Sequence, residues 1–157
     1  MDLELIKQKL AGKIEDGVLN RGQVVVASKV ASILEVLKIC KEDEDLKMDL
    51  LLDIVAVDFF EEDPRFELVY LLYSTVKKHR LRVKVRVKES EVVPTASGIY
   101  KSANWAEREA WDMMGIKFKD HPNLKRILMF EGFEGHPLRK DYPVNKRQPI
   151  PVIEETL

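Results

Sequence analysis

Residues 50–88 read LLLDIVAVDFFEEDPRFELVYLLYSTVKKHRLRVKVRVK, and the fold class turns on this stretch. The run from Met48 to Phe60, which overlaps its start, is rich in branched residues and predicts a buried strand, too apolar for a sheet edge. Asp63-Pro64 within EEDPRF supplies turn chemistry. FELVYLLYST follows directly and predicts the antiparallel partner. RLRVKVRVK then alternates strictly, with Leu81, Val83, Val85 and Val87 on one side and Arg82, Lys84, Arg86 and Lys88 on the other. The first set predicts core. The second is a basic ribbon, solvated or turned toward an anionic partner. Strands that follow one another this closely point to an α+β fold with a mainly antiparallel sheet rather than to a βαβ repeat.

The flanks supply helices. Leu3, Ile6 and Leu10 recur at helical spacing and predict a short opening helix. QVVVA, from Gln23, predicts a strand. Ser28 is placed to cap a helix over KVASILEVLKICK, whose apolar face is Val30, Ile33, Leu34 and Leu37, and KEDEDLK predicts an exposed loop. Residues 1–92 thus predict an α/β core in the order α-β-α-β-β-β. Residues 93–157 predict a helix and then an extended, proline-rich segment of the same single domain. Asn104 and Glu107 form a capping-box pattern, with a helix start nearer Ser97 as the alternative, and Gly115 is a good left-handed terminus after Met114. Beyond it, Pro122, Pro137, Pro143, Pro149 and Pro151, with Gly132 and Gly135, punctuate the chain. A compact domain spends that much chain on irregular structure when the segment is functional or docks on something.

Apolar residues make up 45% of the 157, enough for a real core. The net charge of -1 hides an asymmetry: residues 1–79 hold 11 Lys/Arg against 16 Asp/Glu, and residues 80–157 hold 15 against 11. The halves can attract each other or face different partners. Cys40 is the only cysteine, which excludes an intrachain disulfide and any iron–sulfur cluster held by this chain's own thiolates. It fits a reducing compartment and a buried, small apolar role. MDLELIKQKL lacks the basic start and unbroken apolar run of a signal peptide. The longest apolar-rich run is broken by Asp53 and Asp58, and a membrane-spanning helix needs about 20 apolar residues, so none is expected.

Chemistry-bearing residues gather in NWAEREAWDMMGIKFKDHPNLKRIL, residues 104–128. Glu107, Glu109 and Asp112 invite an acid/base reading. Arg108 and Asp112, however, are i,i+4 neighbours and predict an ion pair, while Glu107 and Glu109 fall where a helix dipole favours anions. No Ser, Cys or His stands beside them as a nucleophile. Of His79, His121 and His136, the last two precede Pro122 and Pro137, and they make a poor zinc set. Each imidazole is expected to bond a backbone carbonyl. A triad completed by Asp112 or Asp141 remains the metal-dependent hydrolase alternative. GHPLRKDYP carries Gly135, Arg139, Lys140, Asp141, Tyr142 and Pro143, a basic and aromatic loop suited to a protein interface or to RNA. Near-neutral net charge disfavours nucleic acid. There is no glycine-rich phosphate loop.

The run Glu107, Arg108, Glu109, Asp112, Gly115, Ile116, Phe118, His121, Pro122, Leu124, Arg126 and Ile127 resembles the signature of the C-type, or 30-kDa-type, subunit of respiratory complex I, the proton-pumping NADH:quinone oxidoreductase. Gly135 through Pro143 is similar to the family's second motif, and the strands upstream match in order and spacing, so the resemblance spans about residues 50–143. Met114 stands where the family usually has an aromatic, and Asn123 where it usually has Asp. The resemblance implies a peripheral subunit on the cytoplasmic side of the cell membrane. It implies no catalytic residue, metal or cofactor in this chain, with flavin and iron–sulfur clusters in partner subunits. The expected partners are the large D-type subunit of the complex, and also its B-type and I-type subunits. Glu107, Arg108, Glu109 and Asp112 would brace the segment, Gly115 and the prolines would set its path, and Arg139, Lys140 and Tyr142 would anchor it. Equivalent subunits of membrane-bound hydrogenase and cofactor-F420-linked complexes share the pattern.

Overall fold

The three strands expected from residues 50–88 form one antiparallel run in the computed structural model, which describes residues 2–149. In chain order the elements are helix α1 (Leu3–Lys9), strands β1 (Ile14–Asn20) and β2 (Gln23–Ser28), helix α2 (Ile33–Glu42), strands β3 (Leu50–Asp58), β4 (Phe66–Tyr73), β5 (Arg80–Val87) and β6 (Val92–Pro94), helix α3 (Ala103–Met114) and strand β7 (Lys117–Lys119). The end of the expected docking segment, 150–157, lies outside the described residues.

Five strands make one sheet in the order β1-β2-β5-β4-β3. Tyr70 of β4 stands between Ile54 of β3 and Val83 of β5, so the inward residues of all three strands line up on one face. Two expectations need correction. β3 is an edge strand, not an interior one. Its apolar content serves one face, where Leu51 and Ile54 are buried beneath α3, while Leu52 and Val55 stay 48% and 39% exposed. The sheet is mainly antiparallel, as expected, with one parallel pair, β2 along β5, where Val26 stands beside Val83. The second correction is β1, a strand absent from the expected order, whose Glu15, Asp16, Gly17 and Asn20 are poor strand formers. Its hairpin with β2 overrides that propensity.

Ser28 does not cap α2. It still belongs to β2, and its hydroxyl donates to the Lys13 carbonyl at 3.0 Å, while a 3-10 turn over Val30–Ser32 leads into the helix. The apolar face is accordingly Ile33, Val36, Leu37 and Cys40, with Val30 and Leu34 at its margin. Cys40 is fully buried, which pushes its thiol up to about 12.

Ile6 and Leu10 by α1, Ile33 and Leu37 of α2, and Ala103 and Ala110 of α3 share one cluster with Val26, Phe66, Leu68, Tyr70, Leu81 and Val83. Each Val, Leu, Ile or Phe side chain so buried contributes about 1.5–3 kcal/mol. All the helices therefore lie on one face of the sheet. β6 and β7 pair in parallel around α3, with Val93 beside Phe118. That small crossover brings Thr95 and Ala96 against the flank of the signature helix.

Candidate functional site

Helix α3 ends as expected. Gly115 adopts φ 78 and its N–H returns to the Trp111 carbonyl. The next three carbonyls, which a helix end leaves unpaired, are taken by the GHPLR stretch. His136 Nδ1 lies 3.0 Å from the Asp112 oxygen, Leu138 N donates to Met113 at 3.1 Å, and Arg139 Nε donates to Met114 at 2.6 Å. The chain crosses back so closely that a Cβ on Gly115 would lie 2.6 Å from His136. Burial lowers the His136 pKa, with Arg139 and Arg126 adding to the effect.

The helix start differs from the capping-box expectation. Ser102 is already helical and makes no side-chain cap, because turns from Ala96 onward occupy the first amides. Glu107 instead points inward and is fully buried, accepting from Ala96 N at 2.6 Å and from the Thr95 hydroxyl at 2.5 Å. Burial pushes Glu107 up to about 7, with those two donors opposing. His121 Nε2 lies 3.8 Å from this carboxylate and 3.0 Å from the Asn104 carbonyl, while Nδ1 accepts from Asn123 N. Pro122 follows in the same turn. With His79 Nε2 at 3.0 Å from the Leu46 carbonyl, every histidine does contact a backbone oxygen.

Arg108 and Asp112 do not pair. Arg108 donates to the Lys125 and Arg126 carbonyls and lies over Trp105. Asp112 faces the following loop, where one oxygen accepts from Ile127, Leu128 and Met129 amides at 2.9–3.0 Å and the other from Arg126 at 2.5 Å. Burial alone would raise the Asp112 pKa, but the three amides and Arg126 together hold it below the usual carboxylate range. Arg126 also binds the Phe133 and Gly135 carbonyls. Glu109 stands apart, on the rim of a groove lined by Ile54, Met113 and Leu138.

The second motif is spent largely on its own chain. Arg139 reaches Glu89 at 2.6 Å and lies over Phe66. Lys140 N and Asp141 bind at the β3–β4 end through Asp58 and Arg65. Tyr142 stacks on Phe133 and closes over Gly135, where a Cβ would lie 3.0 Å from its ring. Pro137 and Pro143 bend the chain between these contacts. Among the described residues, no group of three or more His, Cys, Asp or Glu side chains is placed to hold a metal.

Residues 26–148 match the family model for the respiratory-chain NADH dehydrogenase 30 Kd subunit. The chain belongs to this family. It is 49% identical over 140 residues to the C-type NADH-quinone oxidoreductase subunit of Citrifermentans bemidjiense, covering 88% of this chain and 86% of that one. The second C-type NADH-quinone oxidoreductase subunit of Rhizobium meliloti is 46% identical over 142 residues, covering 90% and 78%. Among solved structures, a trypsin-resistant fragment of Nqo5 superposes with a TM-score of 0.67 at 28% identity, covering 77% of this chain and 97% of that one. A chain of the membrane-bound sulfane sulfur reductase, an archaeal respiratory membrane complex, gives 0.78 at 28% identity, covering 90% and 85%. As a member of the 30 Kd family this chain resembles subunits of an enzyme complex of the respiratory chain. Among the described residues no helix is long and apolar enough to cross a membrane.

Sequence reasoning missed Arg65, which holds Asp58, Asp141 and Glu89 at once. Its only local signal was a lone arginine in an acidic turn, and its partners come from distant parts of the chain. Thr95 and Ala96 were likewise missed as the partners of Glu107.

Proposed function

We propose that the chain is a non-redox structural subunit in the peripheral arm of a complex I-type NADH:quinone oxidoreductase, the assembly that couples electron transfer to proton translocation. It scaffolds the large D-type subunit, with the B-type and I-type subunits nearby, on the cytoplasmic side of the membrane. Flavin and iron–sulfur clusters belong to partner subunits, and residues 93–157 form the docking segment. One observation carries the reading: Glu107 and Asp112 have their carboxylate oxygens engaged by donors of their own chain. A general acid or base needs an open side toward its substrate. These groups instead fix a helix and a loop that leave Trp105, Leu128 and Leu138 about 60% exposed (62%, 57% and 58%). Aromatic and aliphatic side chains left out in this way suit the centre of an intersubunit contact.

The test is Leu128→Asp in a strain that assembles the complex. The intact complex on native gels is expected to fall severalfold while the melting temperature of the purified chain stays put. Unchanged yield would count against the contact. Stoichiometric zinc or iron in the purified chain, with hydrolytic activity, would favour the metal-enzyme alternative. The likeness to a chain of the sulfane sulfur reductase complex supports a second reading, an equivalent subunit of a related membrane-bound complex. Flanking genes for a hydrogenase-like large subunit would select it.

A further inference from the structure

The sheet's second face lies opposite the helices, and its register sets Val25, Arg82 and Leu71 side by side in one row. Two of the ribbon's cations are neutralised there, Lys84 by Glu67 at 2.8 Å and Arg86 by Glu62 at 2.7 Å. Arg21, Arg80 and Arg82 have no carboxylate partner among the described residues; Arg80 only lies over the Tyr73 ring. Two shallow depressions meet at this corner. One, of about 210 Å³, is lined by Gln23, Leu52, Leu71, Arg80 and Arg82. The other, of about 330 Å³, is lined by Asn20, Arg21, Gln23 and Arg82. They share Gln23 and Arg82, so an aliphatic hollow and a polar, cationic one lie end to end.

The β1–β2 turn adds a separate observation. Arg21 and Gly22 both have positive φ, 48 and 78, the pattern of a type I′ hairpin turn. The first of those positions favours Asn, Asp or Gly, and a longer side chain adopts it against a steric cost. Within the described residues the Arg21 guanidinium returns nothing for that cost, since it makes no ion pair or hydrogen bond. Its side chain is free to serve something outside the chain.

We infer that Arg21, Gln23, Arg80 and Arg82, with Leu52 and Leu71, form a docking corner for an acidic, apolar segment of a neighbouring subunit. A carboxylate would enter the Arg21–Arg82 hollow, and an adjacent aliphatic side chain would fill the Leu52–Leu71 hollow. Charge complementarity selects the occupant: the unpaired Arg80 and Arg82 border an apolar hollow too small for more than a side chain or two, and Arg21 with Arg82 lines the polar hollow beside it. A membrane surface suits the corner less well, because polybasic anchors use clusters of about 4–8 cations. The inference rests on the reading of this chain as part of a multisubunit assembly, and it gives the chain a second contact on the face opposite α3.

The experiment compares four strains that express the complex: wild type, a deletion of this chain, Arg21→Asn, and Arg21→Asn with Arg82→Gln. Arg21→Asn is expected to leave the melting temperature of the purified full chain unchanged or higher, yet to lower intact complex on native gels about threefold; the double variant lowers it about tenfold. Full yield in the double variant, with none in the deletion strain, overturns the docking corner and leaves the scaffold reading standing. Full yield in the deletion strain overturns both. A loss that tracks a lower melting temperature also overturns the corner, since folding then accounts for it. Sedimentation of the wild-type chain, but not the double variant, with phosphatidylglycerol vesicles would reassign the corner to a membrane.

Discussion

Arg65 and Asp141 stand 76 residues apart in the chain and share two hydrogen bonds, of 3.0 and 2.9 Å. The same guanidinium grips Asp58 through two bonds of 2.9 Å, and its side chain is only 9% exposed. One arginine thus fastens the C-terminal segment to the β3–β4 end of the sheet. Arg65→Met leaves the buried Asp58 without its countercharge and is expected to destabilise the chain by about 3–5 kcal/mol. Asp141 is more exposed, so Asp141→Asn should cost only about 1 kcal/mol or less. Its main effect should be faster proteolytic cutting after residue 126. Urea unfolding with limited proteolysis separates the two outcomes, and equal losses would contradict the hub. Arg65 holds both carboxylates below their ordinary range. Their contribution is therefore present above the unfolded carboxylate pKa and lost as pH falls below about 4.

Glu107 predicts the opposite slope. Burial raises it from 4.5 to about 7, so the folded chain holds a proton that the unfolded chain has already released. The associated stability is complete below the unfolded pKa and disappears as pH rises through about 7. It amounts to about 3 kcal/mol at most. Glu107→Gln keeps the shape and removes the titration. It should match wild type near pH 5 and exceed it by about 1–3 kcal/mol at pH 8. Urea midpoints at the two values decide the matter; a wild-type midpoint that does not fall over this interval refutes it.

These two residues also mark what local pattern could and could not reveal. The alternation of Leu81, Val83, Val85 and Val87 was legible because a strand's period is a property of the strand alone. The histidine–carbonyl contacts were legible for a related reason, since His121 and His136 each sit in a bent stretch of chain beside a proline. The edge position of β3 was not, because its apolar face answers α3, which lies much later in the sequence. Nor was the role of Glu107. A capping box is a local motif, and here the carboxylate is claimed by the turn after β6 instead. Asp112 likewise turns from its i,i+4 neighbour to a loop whose three successive amides present a better site.

Gly115 is required twice over, by its φ of 78 and by His136 and Arg139 lying 2.6 and 2.7 Å from where a Cβ would be. Gly115→Ala should cost about 1–3 kcal/mol for the backbone alone. It should also dislodge the 136–139 stretch from the helix end. Loss of protection at the Leu138 amide in hydrogen exchange would report that release. Protection equal to wild type would show that the crossing tolerates a methyl group.

Asp112 makes the most specific prediction. Its Oδ2 accepts from three consecutive amides, and its Oδ1 from Arg126. Charge-assisted bonds of this kind are roughly twice as strong as neutral ones, and Arg126 would be left facing an amide. Asp112→Asn removes the charge but little volume, and should destabilise the chain by about 2–4 kcal/mol. Local order should suffer more than the core. The amides of Ile127, Leu128 and Met129 should exchange together and much faster, while those of β4 and β5 follow the global change. If Leu128 presents itself to a partner only because this carboxylate fixes its loop, the same variant lowers complex yield more than an equally destabilising core change such as Leu37→Ala. Equal yields at equal stability would show that the loop's rigidity plays no part in assembly.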